Sequence, residues 1–260
     1  MAQQPRYLEI ADALRKQIED KVLAPGSRLP TELELGGTYK ASRNTVRDAI
    51  KRLMSEHLVE TRPGQGTFVT MSIDPFVTVL TNDPKTGLGG GEGVTWLSAI
   101  GADHRIARNS PPKVEVQSRD DVIAERLGVA PGTQLVLRHE ERYIDEIPWS
   151  LQTSFYPMEF IQAGAIELLM AKNIEKGTVR YLADSINIRQ TGYRDWITAR
   201  RPDGHEQAFF GVAHDSTMFE IFRTAFDQNN KPMRLTVTVY PADRNQFIID
   251  VGDDLPSLQH

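Results

Sequence analysis

The stretch ASRNTVRDAIKRL, residues 41–53, decides how the first part of this chain folds. Ser42 stands where a helix can start, because its hydroxyl can accept from the free amides of a first turn. Val46, Ala49, Ile50 and Leu53 recur at helical spacing and form one apolar stripe. Arg43, Asn44, Arg47 and Lys51 fall on the other side, with Arg43 and Arg47 one turn apart. Arginine can grip guanine O6 and N7 with two donors, asparagine can pair with adenine, and a helix N-terminus attracts phosphate. Arg43, Asn44, Thr45 and Arg47 are therefore expected to divide base reading and phosphate contact, with Ser42 and Lys51 beside them. Read in isolation, the same helix is equally a solvated face carrying incidental arginines, so its neighbours matter.

Upstream, residues 5–21 predict a helix. Pro5 suits a first turn, and Tyr7, Ile10, Ala11, Leu14 and Ile18 share one face. LAPG at 23–26 breaks the chain. Thr31 followed by Glu34 is a capping-box pair, opening a short second helix that ends near Tyr39. Two helices joined by a turn of a few residues make a helix-turn-helix. The third helix is expected to end near His57. LVET at 58–61 and TFV at 67–69 then predict two short strands around PGQG at 63–66. A helix-turn-helix with a glycine-tipped hairpin after it is a winged helix-turn-helix, which points to double-stranded DNA as a partner. In the wing, Gly64, Gln65 and Gly66 are candidates to lie along the minor groove, with Arg62 against phosphate. The alternative for that hairpin is a plain turn.

The chain has 260 residues, enough for one large or two ordinary domains. Its net charge of −5 runs against DNA binding, but the split by region matters more. Residues 1–69 hold 11 of the 30 Lys/Arg and 9 of the 35 Asp/Glu, leaving 19 against 26 in the remainder. Cysteine is absent, which excludes disulfides and thiolate metal sites. His104, His139, His205 and His214 are scattered singly, so neither a metal nor another cofactor is expected. No apolar run approaches the roughly 20 residues of a membrane span, and the first residues carry no apolar signal core. The expectation is a cytoplasmic protein of bacterial type, away from membranes.

Residues 1–70 form the expected DNA-binding domain. Residues 71–94 include NDP, KTG and a GGG at 89–91 and read as a linker. From 95 to 252 the pattern is mixed, so the chain as a whole reads as α+β. LVLRHEERYI (135–144) and WSLQTSFY (149–156) predict a hairpin around DEIP at 145–148. FEIFRTAF (219–226) and MRLTVTVY (233–240) predict another, and AIELLM (165–170) a helix. Trp96, Trp149 and Trp196 are read as core residues.

Together these motifs resemble the GntR family of bacterial transcriptional regulators. The likeness runs from about Tyr7 to Val69 and is carried by YLEIADALRKQI, PGSRLPTE, SRNTVRDAIKRL and RPGQGTFV. In that family an arginine usually stands at the third position after the Leu-Pro pair, where it contacts DNA; here the position is Leu33. The C-terminal region looks like the UTRA effector domain of the HutC-type branch, through RYIDEIPWSLQTSFYP (142–157), RDWITAR (194–200) and FRTAFDQNNKPMRLTVTVYPADR (222–244). This resemblance implies an α/β fold shared with chorismate lyase, a homodimer, and a small-molecule ligand in the domain's cleft. Family sensors of sugar phosphates often carry two alternating arginines before the first hairpin turn and a glutamate after the proline of the second. This chain has Glu140 and Arg142 at the first pair and Arg234 at the other position.

The candidates for effector contact are Arg142, Ser154, Tyr156, Arg194 and Arg234. Guanidinium groups on strands can converge on a carboxylate or phosphate; the alternative is that they make ion pairs within the domain. The leading reading is a sequence-specific regulator, a repressor, that grips a palindromic operator as a dimer and is modulated by a small, anionic effector. An enzyme built on a chorismate-lyase-like domain with an accessory DNA module is the alternative. No nucleophile–base signature, metal motif or phosphate loop speaks for it. A DNA binder insensitive to any ligand is a third reading.

Overall fold

The computed structural model describes residues 5–56, 58–62, 64–70, 75–81, 89–90, 92–102, 104–119 and 122–251. The chain divides into two compact units, the first ending at residue 73 and the second beginning at 74.

The first unit runs through helices α1 (Arg6–Glu19), α2 (Glu32–Tyr39) and α3 (Arg43–Ser55) to strands β1 (Val59–Arg62) and β2 (Gly66–Val69). Helix α2 starts where sequence places it: the Glu34 amide donates to Thr31 Oγ1 at 3.3 Å, and the Thr31 amide donates to the Glu34 carboxylate at 2.7 Å. It stops at Lys40, which turns left-handed at φ 48°. Ser42 Oγ then accepts from the Thr45 amide at 3.2 Å and opens α3. The stripe Val46, Ala49, Ile50 and Leu53 is buried with Ile10, Ala11 and Leu14 of α1 and Leu35 of α2. That shared core fixes the angle at which the polar face of α3 is presented.

Strands β1 and β2 pair antiparallel from Val59–Val69 to Arg62–Gly66. The segment after the break at 23–26 adds a third line to this wing. The Gly26 amide donates to the Val69 carbonyl at 3.0 Å, the Val69 amide to Ser27 at 2.9 Å and the Leu29 amide to Thr67 at 2.8 Å. Gly66 has φ 119°, where any other residue is strained, and a Cβ there would also push against Arg28 Nε at 2.7 Å. His57 and Pro63 lie outside the described residues.

The second unit contains β3 (Phe76–Val79), α4 (Gly93–Ala102), β4 (Ala107–Asn109), β5 (Lys113–Arg119), α5 (Val122–Leu127), β6 (Thr133–Ile144) and β7 (Ile147–Pro157). It continues through α6 (Glu159–Gln162), a 3-10 turn (Ile166–Leu169), α7 (Thr178–Ile186), β8 (Gln190–Arg200), α8 (Gly204–Phe210), β9 (Met218–Asp227), β10 (Pro232–Pro241) and β11 (Asn245–Ile248). Among the described residues, seven strands form one antiparallel sheet in the order β4-β6-β7-β10-β9-β8, with β5 also on β6. Asp145 and Glu146, at φ 51° and 63°, make the two-residue turn between β6 and β7.

Alternation along the strands sorts the sheet's two faces. On one face Leu135, Phe155 and Leu235 pack under Ile123 and Leu127 of α5, and Leu151 and Val239 pack with Phe210 of α8. On the other, Val136, Tyr156, Ala225 and Met233 pack at one end with Phe160, Leu168 and Leu182. The rest of that second face carries mostly polar side chains, with Ile221 among them.

Two expectations are corrected. The segment 71–94 is not linker throughout: Phe76–Val79 pairs in parallel with Asn245–Ile248, and Glu92 is buried within the second unit. The helix expected at 165–170 is present as a 3-10 helix over Ile166–Leu169. Trp96 and Trp149 are buried, but Trp196 is 55% exposed, because it lies on the sheet's last strand, β8, with the Arg126 guanidinium 5.0 Å from its ring.

Because Leu53 is fully buried where α1 and α3 meet, Leu53→Ala should destabilise the first unit by about 2–5 kcal/mol. A denaturant melt that matches wild type would show that this stripe does not hold the unit together.

Candidate nucleic-acid interface and ligand cavity

On α3 the polar residues are brought together as their spacing predicts. Arg43, Asn44 and Arg47 are all exposed near the helix start, and Thr45 Oγ1 lies 2.8 Å from Ser42 Oγ. The structure adds an acid that sequence reading did not single out. Glu32, in the first turn of α2, receives Arg47 Nε and Nη2 at 3.0 Å each and lies 3.7 Å from Arg43 Nε. The hydrogen bonds from Arg47 hold the Glu32 carboxyl below its usual pKa. The clasp pins both guanidinium groups side by side and limits the rotamers they must lose when they grip an acceptor. The signal was available: Glu32 sits next to the capping threonine, one helix before two arginines at spacing four. Lys51 points toward Asp48 at 3.7 Å.

In the wing, Arg62 stacks over Phe68 at 4.5 Å and donates to Glu60 at 2.7 and 2.9 Å. Gly64 and Gln65 are exposed at the turn, with Gly64 at φ 73°. Leu33, which stands where the family resemblance implies an arginine, is 74% exposed, and its side chain offers no hydrogen bond.

The second unit contains a cavity of about 870 Å³ over the polar face of the sheet. Its floor follows from strand register. Arg138 on β6 stands opposite Ser154 on β7, Ser154 opposite Thr236 on β10, and Thr236 opposite Arg223 on β9. One step along, Glu140 stands opposite Gln152. Ser154 and Thr236 hydroxyls lie 3.0 Å apart. Of the five effector candidates, Arg142, Ser154, Tyr156 and Arg234 line this cavity.

Arg194 does not. It is exposed, with its guanidinium 5.6 Å from the Phe226 ring. Its neighbour Asp195 pairs across β8–β9 with Arg223, so the pleat turns Arg194 to the opposite face. Sequence reading also missed Arg138, Arg223 and Glu92. Arg138 was findable, since 138, 140 and 142 alternate on one strand. Arg223 lies in a strand that was recognised, but its face was not assigned.

Eight Lys/Arg and three Asp/Glu line the cavity. At the rim, Arg108 pairs with Glu146, and Lys176 and Arg180 pair with Asp184. Inside, each cation is held differently. Arg138 donates to the carbonyls of Leu168, Met170 and Lys172 at 2.8–2.9 Å. Arg223 makes a two-pronged contact with Asp195 at 2.8 and 2.7 Å. Arg234 bonds Glu92 and donates to Gln190. Arg142 is fully buried, with its guanidinium 4.8 Å from the Trp96 ring, and burial lowers its pKa. Among the described residues no group of His, Asp or Glu is placed to hold a metal ion, and no helix is long and apolar enough to cross a membrane.

A three-helix unit presenting a cationic helix face beside a wing, joined in one chain to a unit with a ligand-sized cavity, defines a DNA-binding transcriptional regulator. The sequence matches the gntR family of bacterial regulatory proteins over residues 6–69 and the UTRA domain over residues 112–246, and the chain belongs to that family. It is 25% identical over 253 residues to the HTH-type transcriptional regulator YurK of Bacillus subtilis (strain 168), covering 95% of each. It is 26% identical over 249 residues to the HTH-type transcriptional repressor NagR of the same organism, covering 94% of this chain and 93% of NagR. The crystal structure of PhnF from Mycobacterium smegmatis shares the fold, with a TM-score of 0.57 and 22% identity over 94% of this chain and all of that one. The protein is therefore a DNA-binding regulator rather than an enzyme, and its second domain is of a kind that binds small-molecule effectors.

Arg47→Ala removes an exposed donor pair without touching the buried stripe. It should weaken DNA binding by about 1–3 kcal/mol, a loss of roughly 5- to 150-fold, and leave folding intact. A mobility-shift titration at fixed salt checks this; unchanged affinity would remove Arg47 from the interface.

Proposed function

We propose that this regulator represses transcription by binding a palindromic operator as a homodimer, and that a small anionic metabolite in the cavity of the second unit changes its affinity for DNA. Arg43, Asn44, Thr45 and Arg47 divide base reading and phosphate contact on α3 with Ser42 and Lys51 beside them, and Gly64, Gln65 and Gly66 lie along the minor groove with Arg62 against phosphate. A second copy is needed because one recognition helix spans only a half-site. The edge strand β8 supports that reading: among the described residues nothing pairs with its outer side, and Trp196 and Ile197 are 55% and 41% exposed on it.

The observation that carries the ligand class is the cavity's charge. The chain bears a net −5, yet its cavity is lined by eight Lys/Arg against three Asp/Glu, and with Glu146, Asp184 and Asp195, which pair with these cations from beyond the lining, the cations still outnumber the acids by eight to six. Cations gathered in a concave site against the sign of the whole chain focus an attractive potential on an anion. Arg142, Arg234, Ser154 and Tyr156 supply charge, hydroxyls and an apolar wall. By linkage, whatever the ligand does to operator affinity, the operator does equally to ligand affinity.

Selection of genomic fragments by the purified protein at stated salt, followed by sequencing, should yield a palindrome with half-sites about one helical turn apart. Titrating that operator in the presence of anionic, neutral and cationic metabolites should then shift affinity only with anions. An operator without dyad symmetry would overturn the dimer. A response only to neutral or cationic compounds would overturn the ligand class, and no response at all would favour a ligand-insensitive DNA binder.

A further inference from the structure

The cavity already holds an anion, and the chain itself supplies it. Glu92, 8% exposed, bonds Arg234 and lies 3.5 Å from Arg223 Nη1. Its carboxylate also accepts from the Gly89 amide and from Gln190 Nε2, both at 3.1 Å. Burial alone would raise its pKa; the charges of Arg234 and Arg223 and these two hydrogen bonds outweigh burial and bring it below the usual glutamate value. Arg223 Nη1 also donates to the Gly90 carbonyl at 3.0 Å. Gly89 and Gly90 fit so closely against Tyr193 and the Val79 carbonyl that neither position has room for a Cβ. Arg234 Nε has no hydrogen-bond partner among the described residues, although it is buried.

We infer that Arg234, Arg223, Gln190 and the Gly89 amide form an anion subsite within the cavity, and that Glu92 is a tethered stand-in for the ligand group that binds there. The inference rests on the anionic-effector reading and adds how the site selects and responds. A carboxylate or phosphate on the effector takes the subsite by displacing Glu92. A neutral ligand cannot, because Arg223 keeps Asp195 but withdrawing Glu92 without replacing its charge leaves the buried Arg234 guanidinium without an anion. Glu92 immediately precedes α4, whose Trp96 lies against Arg142 and whose Ile100 is buried. Exchange of Glu92 for a ligand therefore frees the start of α4. The chain leads back from that point through β3 to the DNA-binding unit, so the displaced segment is part of the covalent connection between cavity and operator-reading helix.

The test uses the full chain and inorganic phosphate as probe. Glu92→Gln keeps the side chain's size and removes its charge. If Glu92 fills the subsite in most molecules, its neutral replacement should bind phosphate about tenfold tighter or more by calorimetry, and the added Arg234→Met change should abolish the gain. In wild type, saturating phosphate should speed hydrogen exchange of the amides in 92–102, a measurement that does not depend on any variant folding. Equal phosphate affinity in wild type and Glu92→Gln, lost on Arg234→Met, would overturn the stand-in while leaving the anionic site in place. Unchanged exchange in 92–102 at saturation would overturn it as well. Absence of phosphate binding in both proteins would overturn the stand-in and the anionic-effector reading together.

Discussion

A guanidinium group taken out of water must find charge, carbonyls or an aromatic face, and the second unit is organised around meeting that demand four times on one sheet face. Arg138 draws the 3-10 turn and the residues after it onto β6 through backbone carbonyls. Arg223 fixes the last strand through Asp195. Arg234 draws in Glu92 and with it the segment ahead of α4, and Arg142 holds Trp96 of α4. Each cation thus recruits a different element, and the cavity is the space those elements enclose. A row of hydrophobic residues at the same positions would have closed that face, as happens under α5 on the other side.

The first unit solves a smaller version of the same problem at its surface. Two arginines one turn apart repel each other, and Glu32 sits between them on the preceding helix. At an exposed site such a pair adds little stability. Its value is orientation, since it holds both side chains near one place while the buried stripe of α3 fixes the backbone that carries them.

The winged helix was legible in nearly every detail. The signals are local: the caps at Thr31 and Ser42 act within three residues, the stripe on α3 repeats within one helix, and the hairpin glycines answer to backbone geometry at their own positions. The cavity was only partly legible. Arg142, Ser154, Tyr156 and Arg234 were reached through strands that sequence recognised. Arg194 was misplaced because β8 was not recognised as a strand, and without its register the pleat direction is unknown. Glu92 was hidden for another reason. It lies in a glycine-rich stretch with no period, and the residues it meets are 98 and 142 positions away.

What sequence determined by itself is whatever depends on neighbours a few residues apart: three helices, two of them opened by side-chain caps, a glycine-tipped wing, two long hairpins, and the polar face of the third helix. What only the tertiary structure decided is which side chains share a cavity and how its charges are paired. Strand order and register set those distances, and they bring Glu92, Gln190, Arg223 and Arg234 to one point from four separate parts of the chain. A local pattern fixes a local conformation; the balance of buried charge is a sum over the whole fold, and no window of sequence contains it.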